Sequence, residues 1–137
     1  LAGNTSLGSV VVSHSTGRST GIVAVPIFDE TARVTGVLGA SVYLDSLSED
    51  LKKNLPLPGT MYFVAFDRDG LITLHSRPEQ IGRQATVQGI PDEIEAVRTM
   101  MTEGEGEVTF TSEGMQQTIV FCTSPLTGWK YGIGVEG

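Results

Sequence analysis

The sequence predicts an α+β fold, a largely antiparallel sheet with its helices set apart from it. Three observations carry this. Short runs of Val, Ile, Thr and aromatic residues are separated by Gly and polar turns, which is how antiparallel strands read. Two stretches, 46–55 and 91–101, switch to a helical period. The two kinds of segment do not alternate one for one, as a parallel βαβ fold would require.

The elements follow in order. Residues 10–13 form a short β-branched run, and 15–20, with Gly17, read as a turn. Residues 21–28 and 34–43 are two further strands around the polar turn 29–32, so the three make a meander. Leu47, Leu51 and Leu55 then recur every four residues. Ser46 and Glu49 stand at capping-box spacing before them, and Lys52 and Lys53 suit the negative end of a helix. The Leu-Pro-Leu-Pro-Gly run 55–59 ends that helix.

Residues 60–66 and 71–75 are predicted strands, and 76–90 is irregular. Pro91 fits a first helical turn, with Asp92 and Glu93 at its positive end. Ile94, Val97 and Met101 define its apolar face, and Gly104 suits its end. Residues 107–111, 117–123 and 129–135 close the chain as three strands with turns at 112–114 and 127–128. Trp129 is assigned to the core, since burying an indole outweighs most single contacts.

The 137 residues suffice for one ordinary domain and its core. Charge narrows the function. The chain carries nine Lys and Arg against 16 Asp and Glu, a formal net charge of -7. A nucleic-acid surface needs clustered cations, and these are few and scattered. The single cysteine, Cys122, can neither close an internal disulfide nor build a Cys-based zinc site alone. No apolar run is long enough to span a membrane and no signal peptide is visible. The first residue is Leu1, not Met, so the missing anchor says little about the parent protein.

Asp67-Arg68-Asp69-Gly70 raises the question of a calcium loop. Such a loop needs oxygen ligands at alternate positions and a bidentate Glu at the twelfth. Leu71 stands at the fifth position counted from Asp67 and Pro78 at the twelfth, so the ligands run out after two. The apolar β-formers on either side make it a hairpin turn, with Gly70 supplying the positive φ.

The two ends of the chain also echo each other. The strand pattern at 21–27 reappears at 118–126, with Pro26 and Pro125 99 residues apart. The simplest reading makes 1–45 the closing strands of one module and 46–137 a complete second one.

Three stretches in this order resemble the Cache domain family, PAS-like sensor modules of chemoreceptors, histidine kinases and related receptors. AVPIFDETARVTGVLGASVYLDSLSEDL is similar to the closing strands of a membrane-distal module running into a connecting helix. GTMYFVAFDRDGLITLHSRPEQIG is similar to the opening hairpin of a membrane-proximal module and its trailing segment. GEVTFTSEGMQQTIVFCTSPLTGWKYGIGV is similar to the closing meander. The resemblance implies a double Cache arrangement: an antiparallel sheet with flanking helices, preceded by a three-stranded remnant of a second similar module. It covers nearly the whole chain. The long N-terminal helix and the first half of the distal module, where that family most often holds its ligand, have no counterpart here.

The resemblance also places a pocket between the sheet and residues 75–90. Arg77 and Arg83 could there hold a carboxylate, or could be two solvated loop residues. His75 could donate to an acidic ligand or sense pH, or could cap a strand end. Tyr62, Phe110 and Phe121 could wall the pocket or pack the core. Thr111 and Thr123 offer hydroxyls that strands also use routinely. His14 has no identifiable partner.

Catalysis is not expected. Ser13 and His14 are adjacent in a strand and point to opposite faces. No metal-ligand spacing, phosphate loop or cofactor motif is present. The expected function is therefore extracytoplasmic small-molecule sensing by a membrane-anchored receptor, a histidine kinase or chemoreceptor, with a carboxylate or amino acid as ligand. The alternatives are a ligand-free relay or dimerisation module, or a cytosolic PAS-like interaction domain. Residues 1–45 are expected to pair with a second copy or to leave an apolar patch.

Overall fold

In a computed structural model the described residues are 6–7, 10–12 and 17–137. Ser13, His14 and the start of the 15–20 turn lie outside them. Strands β1 (Ser6–Leu7) and β2 (Val11–Val12) lie end to end along one edge of β3 (Ser19–Phe28), and β4 (Val34–Tyr43) lies along the other. The β3–β4 hairpin is long and continuous, from Thr20↔Tyr43 to Ile27↔Gly36, with an irregularity at Phe28. Its turn is held by Asp29, whose Oδ1 accepts the N–H groups of Thr31 and Arg33 at 2.8 and 3.0 Å.

Helix α1 (Leu44–Asn54) follows β4 directly and therefore starts before the expected capping box. Ser46 sits inside the first turn, and its hydroxyl accepts from Arg18 at 2.6 Å. Arg18 also holds Asp45 by two bonds of 2.7 and 3.0 Å and lies 3.8 Å over the Tyr43 ring. A distant cation thus braces this helix start, where no side-chain cap is made. The expected Leu47–Leu51–Leu55 face is rotated as well. Leu47 and Leu55 are exposed, while Leu44 and Ser48 are buried and Leu51 packs beside them. Ser48 fills a core position because its hydroxyl accepts the His75 backbone N–H at 3.3 Å.

The second sheet has five strands: β5 (Met61–Phe66), β6 (Ile72–His75), β7 (Glu105–Ser112), β8 (Met115–Thr123) and β9 (Lys130–Glu136). Their order is β6-β5-β9-β8-β7, so the first strand pairs with the last and joins hairpin to meander. Every pairing is antiparallel. The β5–β6 turn is the hairpin expected at 67–70. Asp67 Oδ1 accepts the N–H groups of Asp69 and Leu71 at 2.9 and 3.0 Å, and Gly70 has φ +87°. Both ligand-bearing lone pairs of that oxygen are thus spent on backbone.

Alternation along the strands sends the two faces of this sheet to two cores. Phe63, Ala65 and Leu74 meet Leu44 and Trp129 on the side of α1. Tyr62, Val64, Phe66, Ile72, Ile119 and Phe121 face the other way, under α2 (Pro91–Thr102). The buried residues of α2 are Ala96, Val97 and Met100, where Ile94, Val97 and Met101 were expected. Val97 is common to both faces, while Ala96 and Met100 are buried and Ile94 and Met101 are only half-buried, so the apolar face is rotated from that prediction. The helix also stops at Thr102 without a left-handed glycine, because Glu103 is already extended at φ -104°, ψ 146°. No helix among the described residues is long and apolar enough to cross a membrane.

Candidate functional site

Residues 76–90 fold back along the outer edge of β6 instead of leaving the sheet. Ile72 donates to Arg83 O at 3.0 Å, Gly82 to Ile72 O at 2.8 Å and Ala85 to Gly70 O at 3.1 Å. A short 3-10 turn, Pro78–Gln80, lies within this segment. Helix α2 is tied to it by Arg98, which donates to Thr86 O at 2.9 Å. Between this lid and the sheet lies a cavity of about 460 Å³. That volume falls within the range of small-molecule sites.

Its floor is apolar: Val64, Phe66, Ile72, Val97, Phe110 and Ile119. Polar groups sit around that floor. The Tyr62 hydroxyl donates to Gln117 Oε1 at 2.7 Å. Its ring lies against bare backbone at Gly134, where an added Cβ would stand 2.2 Å from Cζ. On the other side His75 stacks on Tyr62, with centroids 5.4 Å apart and planes 13° from parallel. Burial first, then Glu93 and Glu136, pushes the Tyr62 phenol up to about 12, so it stays protonated.

His75 is 7% exposed. Burial and the nearby Arg77 and Arg83 charges lower its pKa to about 4, against a small opposing effect of Glu79. The imidazole is therefore neutral at pH 7. Its Nδ1 accepts the Arg77 backbone N–H at 2.9 Å, which places the ring proton on Nε2. That N–H makes no bond to any described residue.

Two ion pairs frame the opening. Arg77 Nη2 lies 2.7 Å from Glu136 Oε1. Arg83 pairs with Glu93 and also donates to Gln80 Oε1 at 3.0 Å and Gln88 O at 2.8 Å. A guanidinium carries five N–H donors. Arg83 thus keeps two and Arg77 four after these bonds.

The structure brings together five of the residues singled out from sequence, Tyr62, His75, Arg77, Arg83 and Phe110. Phe121 and Thr123 are not among the cavity's lining. Phe121 packs in the core under α2, and Thr123 spends its hydroxyl on Gly104 O and Lys130 Nζ, both at 2.6 Å. Among the described residues the buried Lys130 ammonium donates to the Thr123 hydroxyl and to Glu103 O, both at 2.6 Å. Thr111 is exposed and does not line the cavity. Sequence reasoning missed Glu93, Gln117 and Glu136. Glu93 reads locally as a first-turn acid on a solvated helix face, and Glu136 is 59 positions from its arginine.

The comparisons agree with this architecture. The ligand-binding domain of the Pseudomonas fluorescens chemoreceptor CtaA, in complex with L-serine, is similar in fold with a TM-score of 0.70 at 18% identity. The alignment covers 98% of this chain and 56% of that one. The ligand binding domain of Mlp24 with asparagine matches at TM-score 0.61 and 18% identity, over 97% of this chain and 51% of that one. An extracellular ligand binding receptor from Desulfohalobium retbaense matches at TM-score 0.67 and 16% identity, over 98% and 23%. This chain thus spans about half or less of each structure. No curated protein matches it. The family model described as Cache domain matches residues 1–136, and with that match over nearly its full length the chain belongs to the Cache domain family.

Proposed function

We propose that residues 46–137 form a small-molecule sensing module that binds a zwitterionic amino acid in the cavity under α2. The observation that carries this is the cavity itself, with an apolar floor and charges of both signs around it. The free donors of Arg77, Arg83 and His75 suit a carboxylate. Glu93 and Glu136 hold those arginines in place, and the cavity's acidic lining suits an ammonium. The apolar floor suits an aliphatic side chain. CtaA and Mlp24, whose structures hold serine and asparagine, support the same ligand class.

In this reading the module is an extracytoplasmic part of a membrane-anchored receptor, and residues 1–45 are the closing strands of a second module. Ligand binding favours one closure state of the lid over the sheet, and that difference is the signal. Strand β9 carries Glu136 at the cavity and is paired with both β5 and β8, so it is the proposed path by which the change leaves the site. Residues 1–45 serve association: Val25, Ile27, Phe28, Val37 and Leu38 are all exposed on the hairpin.

The test is a thermal-shift panel of amino acids, short carboxylates and amines, repeated with Arg77→Ala and Arg83→Ala. A ligand at 100 times its Kd stabilises the folded state by about 2.7 kcal/mol. An amino acid that raises Tm in the parent and not in the Arg83→Ala protein is the expected result. A flat panel with a folded parent protein would refute the sensing role and favour a ligand-free relay.

A further inference from the structure

Five charged residues line the cavity: Arg77, Arg83, Glu93, Glu113 and Glu136. Four are spent in two ion pairs. Glu113 makes no hydrogen bond or ion pair to any described residue. It lies in the turn between β7 and β8, next to the terminal pair Ser112↔Met115. Its φ is +51° and that of Gly114 is +78°. Two consecutive positive φ values define a tight hairpin turn that favours Asn-Gly or Asp-Gly. Glutamate is a poor choice at the first of these positions, since its longer side chain gains nothing from the left-handed conformation. Backbone strain of this kind collects where function holds it in place. Strain alone does not make the case: Ala32 shares this conformation in the β3–β4 turn and does not line this cavity. Glu113 is an exposed turn residue that lines it and has no side-chain partner among the described residues.

We infer that Glu113 is the specificity residue of the site, the carboxylate that recognises the ligand's ammonium group. Both cations of the cavity already have carboxylate partners, so the charge left for an incoming ligand is negative. An ammonium meets it without any native pair being opened. A plain carboxylate meets the unused N–H groups of Arg77, Arg83 and His75 but leaves Glu113 without a partner. Selection is therefore for an amine-bearing ligand over the same molecule without the amine. This deepens the sensing proposal above and rests on it.

The experiment uses the 137-residue chain and three probes of one shape: leucine, 4-methylpentanoate, which lacks the amine, and 3-methylbutylamine, which lacks the carboxylate. Affinities are measured by calorimetry for the parent, Glu113→Asn and Glu113→Asp. Asn and Asp both tolerate the left-handed region, so both variants keep the turn and differ only in charge. Thermal melts confirm that each variant is folded. Leucine should lose about tenfold in affinity in Glu113→Asn and stay within about threefold in Glu113→Asp, the scale of one charged hydrogen bond. 3-Methylbutylamine should follow leucine, and 4-methylpentanoate should be unaffected by either change. Leucine binding equally to the parent and to Glu113→Asn would overturn the assignment while leaving the cavity a ligand site. Equal weakening of all three probes would also overturn it, since a structural role predicts that. No binding of any probe to the parent would remove the cavity reading and this inference with it.

Discussion

His75 offers a prediction that does not need the ligand. It is 7% exposed and its pKa lies at about 4 in the folded chain. An unfolded histidine titrates near 6.5. Between those values the unfolded chain takes up a proton that the folded chain refuses, so acid favours unfolding. The stability tied to the neutral imidazole is complete above pH 6.5 and is lost as pH falls toward 4. At pH 5 the loss amounts to about 2 kcal/mol, and below pH 4 it approaches about 3 kcal/mol. For a chain of this length that is a fall in Tm of roughly 6–10 °C at pH 5. The assay is thermal unfolding by circular dichroism at pH 7.5, 6, 5 and 4.5, for the parent and for His75→Gln. Glutamine cannot titrate, so the difference between the two curves isolates this one group from the carboxylates. The gap should change by about 2 kcal/mol between pH 7.5 and 5. Parallel curves would refute the argument, because they would mean that His75 is hydrated or takes up its proton in the folded state.

Three further outcomes follow from particular contacts. Gly134→Ala drives a methyl into the Tyr62 ring and should cost about 1–3 kcal/mol, the usual range for overpacking; a Tyr62→Ala background should abolish that cost in a double-mutant cycle by denaturation. Arg83, with three partners and a side chain 25% exposed, should lose more stability on truncation than Arg77, whose side chain is 54% exposed and has one ion pair; roughly 1–2 kcal/mol against under about 1 kcal/mol in urea melts is expected, and the reverse order would contradict the described network. Asp67→Ala removes two backbone hydrogen bonds and should cost about 1–2 kcal/mol, while millimolar calcium should leave the parent's Tm unchanged; calcium stabilisation lost in the variant would reinstate the ion-loop reading.

Most strands were legible because local chemistry alone decides them. β3, β4 and β8 are β-branched runs that end at glycine or polar turns, and the Asp67–Gly70 hairpin is written in four residues. What was not legible depends on residues far apart in the chain. The rotation of α1 follows from Ser48 bonding to β6, which makes a serine a core residue against its ordinary preference. The start of α1 follows from Arg18, 27 positions before Asp45. At the site, the arginines stood out as cations in an irregular segment, and the aromatic residues as strand faces. Their carboxylate partners did not, because a Glu in a helix or at a strand end has a sufficient local explanation. Phe121 and Thr123, two residues apart, share one face of β8, yet one lies under α2 and the other serves Lys130. Strand periodicity gives the face of a residue, not its position along the cavity.

The central claim is that the cavity between β5–β9 and the 76–97 lid is a working ligand site. The most direct measurement is a titration of the isotope-labelled chain with leucine followed by amide proton–nitrogen correlation spectra. Saturable shifts grouped at Tyr62–Phe66, Ile72–Glu93 and Phe110–Ile119 are what this account predicts. Spectra unchanged at millimolar leucine and across an equimolar amino-acid mixture, or shifts confined to the β3–β4 hairpin, would contradict it.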